Sequence, residues 1–63
     1  MKKFLVMYGR FRNEYIFNDF DTQKERAAFM ERIGNDTNYC YCTVVQYSKL
    51  SKDLKRCCDL QLR

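Results

Sequence analysis

The chain has 63 residues, of which 46% are apolar and 16% aromatic, and its formal net charge at pH 7 is +4. A chain of this length has room for one small domain, and neither a dinucleotide-binding domain nor a barrel would fit. It contains no His, which excludes Ser-His and Cys-His nucleophile pairs and Cys/His zinc fingers. We therefore expect a single domain over residues 1–63 that is not an enzyme and holds no cofactor or metal.

Two apolar segments rich in strand-forming residues come first, over residues 3–11 and residues 14–20. Arg12-Asn13 lies between them, and Asn tolerates the positive φ that a tight turn needs. The pattern predicts a β-hairpin whose turn has two residues.

A helix is predicted next, over residues 23–33. Thr22 with Glu25 three positions later forms a capping-box pattern at its start. Gly34 and Asn35 supply the stop signal at its end.

Residues 38–48 alternate with period two and are dense in strand formers, so they predict a third strand. Ser51 can then cap a short C-terminal helix through about Leu60, although the end of the chain also alternates as a strand would. Placing the third strand beside the first gives an α+β fold. We expect a three-stranded antiparallel ββαβ sheet in order 2-1-3, with one helix on a face and a short C-terminal helix or strand.

A two-residue turn would place Tyr8 opposite Phe17 in the hairpin, and this register decides which side chains share a sheet face. The helix would cover one face, and the other would collect most of the aromatic side chains. Soluble proteins rarely leave such a surface bare, so the C-terminal segment, a second copy or a different partner must cover it. A one-residue slip would invert these assignments.

The aromatic face is the predicted binding site, because Tyr is apolar along its ring and polar at its tip and is common at interfaces. We expect the partner-binding residues to be Tyr8, Phe17, Tyr39, Tyr41 and Tyr47, with Arg10 and Arg12 at the rim. Both ends of the chain are basic, which favours an acidic partner surface. Exposed rings beside cations can also stack bases, so a nucleic-acid partner is an alternative.

The four cysteines are Cys40, Cys42, Cys57 and Cys58. We expect small buried hydrophobic side chains, with a zinc site or disulfides between the two pairs as alternatives. The first apolar run is too short for a signal peptide, and no window is long enough to span a membrane. These patterns predict a cytoplasmic protein with reduced thiols and no membrane partner.

Residues 9–17 carry the pattern Gly-x-Phe-basic-Asn-Glu-x-x-Phe directly after an N-terminal apolar strand. This segment resembles the start of the Dmd family of phage antitoxins, small proteins of T4-like phages. The resemblance implies a phage protein that binds and silences a host RNase toxin. The expected function is thus inhibition of a host defence or nuclease protein, antitoxin-like or anti-CRISPR-like, through the aromatic face. A nucleic-acid binder using the same face and a structural homodimer are the alternatives.

Overall fold

The computed structural model describes residues 3–63, and the basic start of the chain at residues 1–2 lies outside the described part. The elements in chain order are β1 (Phe4–Gly9), β2 (Ile16–Phe20), α1 (Gln23–Gly34), β3 (Tyr41–Val45), a 3-10 turn (Tyr47–Lys49) and α2 (Lys52–Leu62). The strands form an antiparallel sheet in order β2-β1-β3. This confirms the predicted α+β class and strand order, and the C-terminal element is a helix.

Both helices begin where the capping residues predict. The Thr22 hydroxyl accepts a hydrogen bond from the Glu25 N–H at 3.1 Å, and the Ser51 hydroxyl accepts one from the Leu54 N–H at 3.3 Å. Each hydroxyl satisfies a backbone donor that the first helical turn leaves without a partner. Within the described residues, neither helix is long and apolar enough to cross a membrane.

The hairpin register differs from the prediction by one residue. Tyr8 lies opposite Ile16, not Phe17. The turn itself is centred on Arg12-Asn13 as predicted, but among residues 3–63 no side-chain-bearing residue adopts the positive φ expected there.

Arg10 explains the slip. The turn is closed by the Glu14 N–H, which donates to the Phe11 carbonyl at 3.1 Å. Between the Phe11–Glu14 bond and the Tyr8–Ile16 pair there are two residues on the β1 side but only one on the β2 side. Arg10 is the extra residue, because its N–H donates to the Glu14 side chain, at 2.7 Å from Oε1, and not to a backbone group of the sheet.

The third strand is shorter than the predicted residues 38–48. The register pairs Gly9 with Tyr41, yet the Cys40 N–H also donates to the Gly9 carbonyl at 2.8 Å. Two residues therefore face one at the start of β3, as in a β-bulge. After Val45 the chain leaves the sheet and enters the 3-10 turn.

The helices lie on opposite faces of the sheet. On the α2 side, Leu5, Phe17 and Cys58 form a buried core cluster. The partly buried side chains packed against that cluster are Met7, Val45, Tyr47, Leu50, Leu54, Cys57 and Leu62. On the α1 side, the Phe29 ring contacts Tyr8 and Phe20. The C-terminal segment therefore folds back over the face that carries Leu5 and Phe17, whereas α1 covers the face that carries Tyr8 and Tyr39.

Gln61 on α2 closes the outer edge of β2. Its Oε1 accepts a hydrogen bond from the Phe17 N–H at 2.8 Å, and its Nε2 donates to the Tyr15 carbonyl at 2.7 Å. The side-chain amide thus takes the place that a peptide group of a further strand would occupy. The backbone groups of Tyr15 and Phe17 are thereby occupied, so this part of the edge is unavailable for pairing with another chain.

Candidate functional site

The structure divides the predicted aromatic face between the two sides of the sheet, so the prediction of one continuous face is wrong. The one-residue slip moves Phe17 to the face opposite Tyr8. Tyr8 and Tyr39 lie together on the α1 side with ring centroids 5.6 Å apart. Tyr41 lies on the α2 side, since its β1 partner Gly9 shares a face with Leu5 and Met7.

Three of the predicted contacts serve the fold on the α2 side. Phe17 is only 1% exposed, so it is a core residue and its prediction as a surface contact is wrong. The Tyr41 hydroxyl donates to the Glu14 carbonyl oxygen. The Tyr47 hydroxyl donates to the Asp59 carboxylate at 2.9 Å. These contacts hold the hairpin loop and α2 against the sheet.

The two predicted rim arginines, Arg10 and Arg12, are exposed in the hairpin loop. Arg10 forms an ion pair with Glu14 at 3.4 Å. The hydrogen bond that Arg10 donates to the Glu14 carboxylate, together with the charge of that carboxylate, raises the pKa of Arg10. Arg10 is therefore held at the hairpin loop by its pairing with Glu14.

A row of four aromatic rings crosses the α1 side. Phe29 of α1 contacts Phe20 on one side and Tyr8 on the other, each at 5.1 Å between ring centroids, and Tyr8 contacts Tyr39. All four rings are half-buried. Burial raises the pKa of Tyr8, and its neighbours Tyr39 and Cys42 raise it further. The Tyr8 hydroxyl therefore stays neutral at physiological pH.

Positive side chains lie over two rings on the α1 side, those of Phe4 and Phe29. The Arg26 guanidinium carbon lies 5.5 Å from the Phe4 ring centroid, and Lys3 Nζ lies 5.9 Å from the same centroid. The Arg32 guanidinium carbon lies 5.7 Å from the Phe29 centroid. These distances are within the range of cation–π attraction. We call Phe4, Phe20, Phe29, Arg26 and Arg32 the cation–aromatic surface.

The arginines of the cation–aromatic surface keep their donors available. Within the described part of the chain, neither Arg26 nor Arg32 forms an ion pair, whereas Arg10 is held by Glu14. A guanidinium presents five N–H donors in a planar fork that matches carboxylate and phosphate oxygens. The cation–aromatic surface can therefore bind an anionic group without breaking an existing ion pair.

An open cavity of about 330 Å³ lies between α1 and the end of β2. It is lined by Phe20, Glu25, Ala28, Phe29 and Arg32. The small Ala28 side chain leaves the space open, the two phenyl rings form the apolar part of its wall, and Glu25 and Arg32 form the charged part. Its volume is at the lower end of ligand-binding pockets, so it suits one apolar side chain or ring.

The sequence did not single out Arg26, Ala28, Phe29 or Arg32 as site residues. The signal was present, because Arg26, Phe29 and Arg32 recur at every third position of a helix and so lie near one another on its surface. Whether that side of the helix contacts aromatic rings depends on which sheet face α1 covers. The sheet faces were assigned from the wrong register, so these contacts were not predicted.

The four cysteines are not joined by disulfides, and they lie on two sides of the sheet. Cys58 is buried in the α2-side core, Cys42 and Cys57 are half-buried, and Cys40 is exposed. The expectation of small buried hydrophobic side chains is therefore wrong for Cys40, which lies in the bulge before β3.

Comparison with protein families, with curated proteins and with solved structures finds no match to this chain.

Proposed function

We propose that this chain is a non-catalytic protein that binds and inhibits a host defence or nuclease protein through the cation–aromatic surface. The target segment is acidic and carries one apolar side chain. The carboxylates of that segment pair with Arg26 and Arg32, and the apolar side chain enters the cavity beside Ala28. The similarity of residues 9–17 to phage antitoxins motivates the choice of a host target.

One observation carries the proposal: an open cavity walled by two phenyl rings is also lined by Arg32, a guanidinium that has no ion-pair partner among the described residues. Interfaces of this kind are enriched in Arg and aromatic residues, and a few such residues supply most of the binding free energy. A buried anchor side chain with flanking charge pairs gives both affinity and orientation.

The ring geometry favours a protein target over a nucleic acid. Binding of single strands uses open ring faces on which bases stack. Here Arg26 lies over Phe4 and Arg32 lies over Phe29. The other contacts between rings are tilted or edge-on, with interplanar angles of 45° to 65°. The described rings on the α1 side therefore do not form a set of parallel, exposed ring faces on which bases could stack.

The test is an affinity capture from bacterial lysate with and without nuclease treatment, using variants that change only the cavity. Ala28→Leu fills the cavity, and Ala27→Leu adds the same side chain at a neighbouring exposed position that does not line it. We expect the wild type and Ala27→Leu to retain one host protein in near-equal amounts, with Ala28→Leu losing at least tenfold. Arg32→Gln should lose a similar amount, with Arg56→Gln on α2 as its charge-matched control.

Two outcomes would contradict the proposal. If Ala28→Leu and Ala27→Leu capture the same protein equally well, the cavity does not bind the target. If capture disappears after nuclease treatment, the partner is a nucleic acid, and its affinity should fall steeply with salt because counterion release dominates such binding.

A further inference from the structure

The two edges of the sheet differ in whether their outward backbone groups have hydrogen-bond partners. The β2 edge is closed by the Gln61 amide. The opposite edge is β3, which pairs with β1 on one side only. Edge strands of stable monomers usually carry a charge or a proline, or are covered, since an open edge pairs readily with another chain. From Thr37 to Ser48 this chain has neither a charged residue nor a proline.

The register identifies the backbone groups that point outward from β3. The Phe17 N–H points away from β1, because it bonds Gln61. In an antiparallel sheet the bonding direction alternates along each strand. Met7, opposite Phe17, therefore directs its backbone groups to Thr43, its partner on β3. The residues on either side of Thr43, which are Cys42 and Val44, direct theirs outward.

The outer groups of β3 have no covering element within the described part of the chain. The one bond recorded there is local and long, from the Thr43 hydroxyl to the Val44 carbonyl at 3.4 Å. Thr43 is exposed, and Val44 is 46% exposed although it is an apolar strand residue. The edge therefore presents unpaired backbone groups and an apolar side chain together.

We propose that β3 pairs antiparallel with β3 of a second copy of this chain, around a two-fold axis at Thr43. Cys42 of each copy then exchanges two backbone hydrogen bonds with Val44 of the other. The result is one continuous sheet in which both α1 helices lie on the same face. This contact uses a different surface from the cation–aromatic surface, so its failure and the failure of the proposed function are distinguishable.

Charge is the argument for a second copy over a different extended segment. Each chain carries a net charge of +4, so two copies repel at long range, and any basic side chain at their contact would add to that repulsion. A two-fold axis places each residue near its own counterpart, and like charges facing each other across strands are destabilising. The uncharged stretch around Thr43 meets this requirement. The contact is small, so the dimer is expected to be weak and to dissociate on dilution.

The experiment is sedimentation equilibrium of the full chain over a dilution series, compared with two threonine variants. Thr43→Lys places two ammonium groups at the two-fold axis, whereas Thr37→Lys adds the same charge at an exposed position before β3. We expect a concentration-dependent dimer for the wild type and Thr37→Lys, and a dissociation constant at least tenfold higher for Thr43→Lys. The unfolding midpoints measured at low concentration should agree for the two variants.

Amide chemical shifts provide an independent readout by NMR. On concentration, the Cys42 and Val44 amides should shift more than the Thr43 amide, which bonds β1 in either state. A wild-type chain that remains monomeric at millimolar concentration would overturn the proposal. So would a dimer that Thr43→Lys leaves intact, because the copies would then meet at another surface.

Discussion

Tyr41 lies across Gly9 in the β1–β3 pair, and its ring occupies the space in which a side chain at position 9 would stand. A Cβ at Gly9 would lie 2.9 Å from Tyr41 Cε1 and even closer to the Glu14 carbonyl oxygen. The Tyr41 hydroxyl donates to that same carbonyl. Glycine is therefore required at this position by close approach, and this three-residue contact holds the hairpin loop against the sheet.

Replacing Gly9 with alanine is the direct test of that contact. Because the ring and the carbonyl must both move, we expect Gly9→Ala to lower the free energy of unfolding by about 1–3 kcal/mol, as overpacking does. Gly34→Ala is the control, since a Cβ there meets open space at the end of α1, and it should stabilise by about 0.5–1 kcal/mol. Urea unfolding measures both, and equal midpoints for the two variants would show that the approach at Gly9 is not tight.

The Gln61 amide makes a second prediction. Gln61→Ala leaves the Phe17 N–H and the Tyr15 carbonyl without their partner, so we expect a loss of about 1–3 kcal/mol in unfolding free energy. The uncovered β2 edge should also increase aggregation, which light scattering measures. Gln46→Ala removes the same side chain from an exposed position without a side-chain capping bond and should change stability by less than about 0.5 kcal/mol. Equal effects from the two substitutions would rule out edge closure by Gln61.

The Arg10–Glu14 contact predicts a dependence on acid pH. The backbone and side-chain hydrogen bonds from Arg10 lower the pKa of Glu14. A carboxyl with a lowered folded pKa stabilises the fold above its unfolded pKa, which is about 4.3 for Glu, and this contribution is lost as the pH falls through the folded value.

Glu14→Gln should therefore lower the urea midpoint at pH 7 and should approach the wild type at pH values below the folded pKa. Glu31→Gln, an exposed substitution on α1 with the same change in net charge, serves as the control. The difference in urea midpoint between Glu14→Gln and the wild type should therefore change between pH 7 and pH values below the folded pKa of Glu14. A constant difference would exclude a role for Glu14 ionisation in stability.

The cysteines should differ in their rate of alkylation. Cys40 is exposed and Cys58 is buried, so iodoacetamide should label Cys40 first and Cys58 only as the chain unfolds. Burial raises the pKa of Cys42, and because the thiolate is the nucleophile, Cys42 should react more slowly than Cys40 at pH 8. Peptide mass spectrometry over a time course measures the order. Labelling of Cys58 as early as Cys40 would show that the α2-side core is open.

Local chemistry made part of the fold predictable from the sequence. Thr22 and Ser51 mark the helix starts because each hydroxyl acts within one helical turn. The strand order followed from the element sequence. The register was not predictable in this way, since it depends on whether the Arg10 N–H finds a ladder partner or the Glu14 carboxylate.

The error in register carried over to the candidate site. With period-two alternation, one extra residue in the hairpin sends Phe17 to the face opposite Tyr8 and into the core cluster. On the α1 side, Arg26 lies over the Phe4 ring and Arg32 over the Phe29 ring. Tyr8 and Tyr39 share a face, as the sequence pattern predicted, but α1 covers that face, whereas the pattern had placed the helix on the other one.

The two halves of the molecule differ in how firmly they are packed. Among the described residues, the fully buried side chains Leu5, Phe17 and Cys58 lie on the α2 side, whereas Val6 is the one on the α1 side, and α1 itself buries only Ile33. Amide hydrogen exchange should therefore be faster in α1 than in the strands and α2, because α1 can detach without opening that core. A ligand that binds between α1 and β2 would bind only while α1 is packed on the sheet. Part of its binding free energy would therefore offset the conformational entropy lost when α1 becomes ordered.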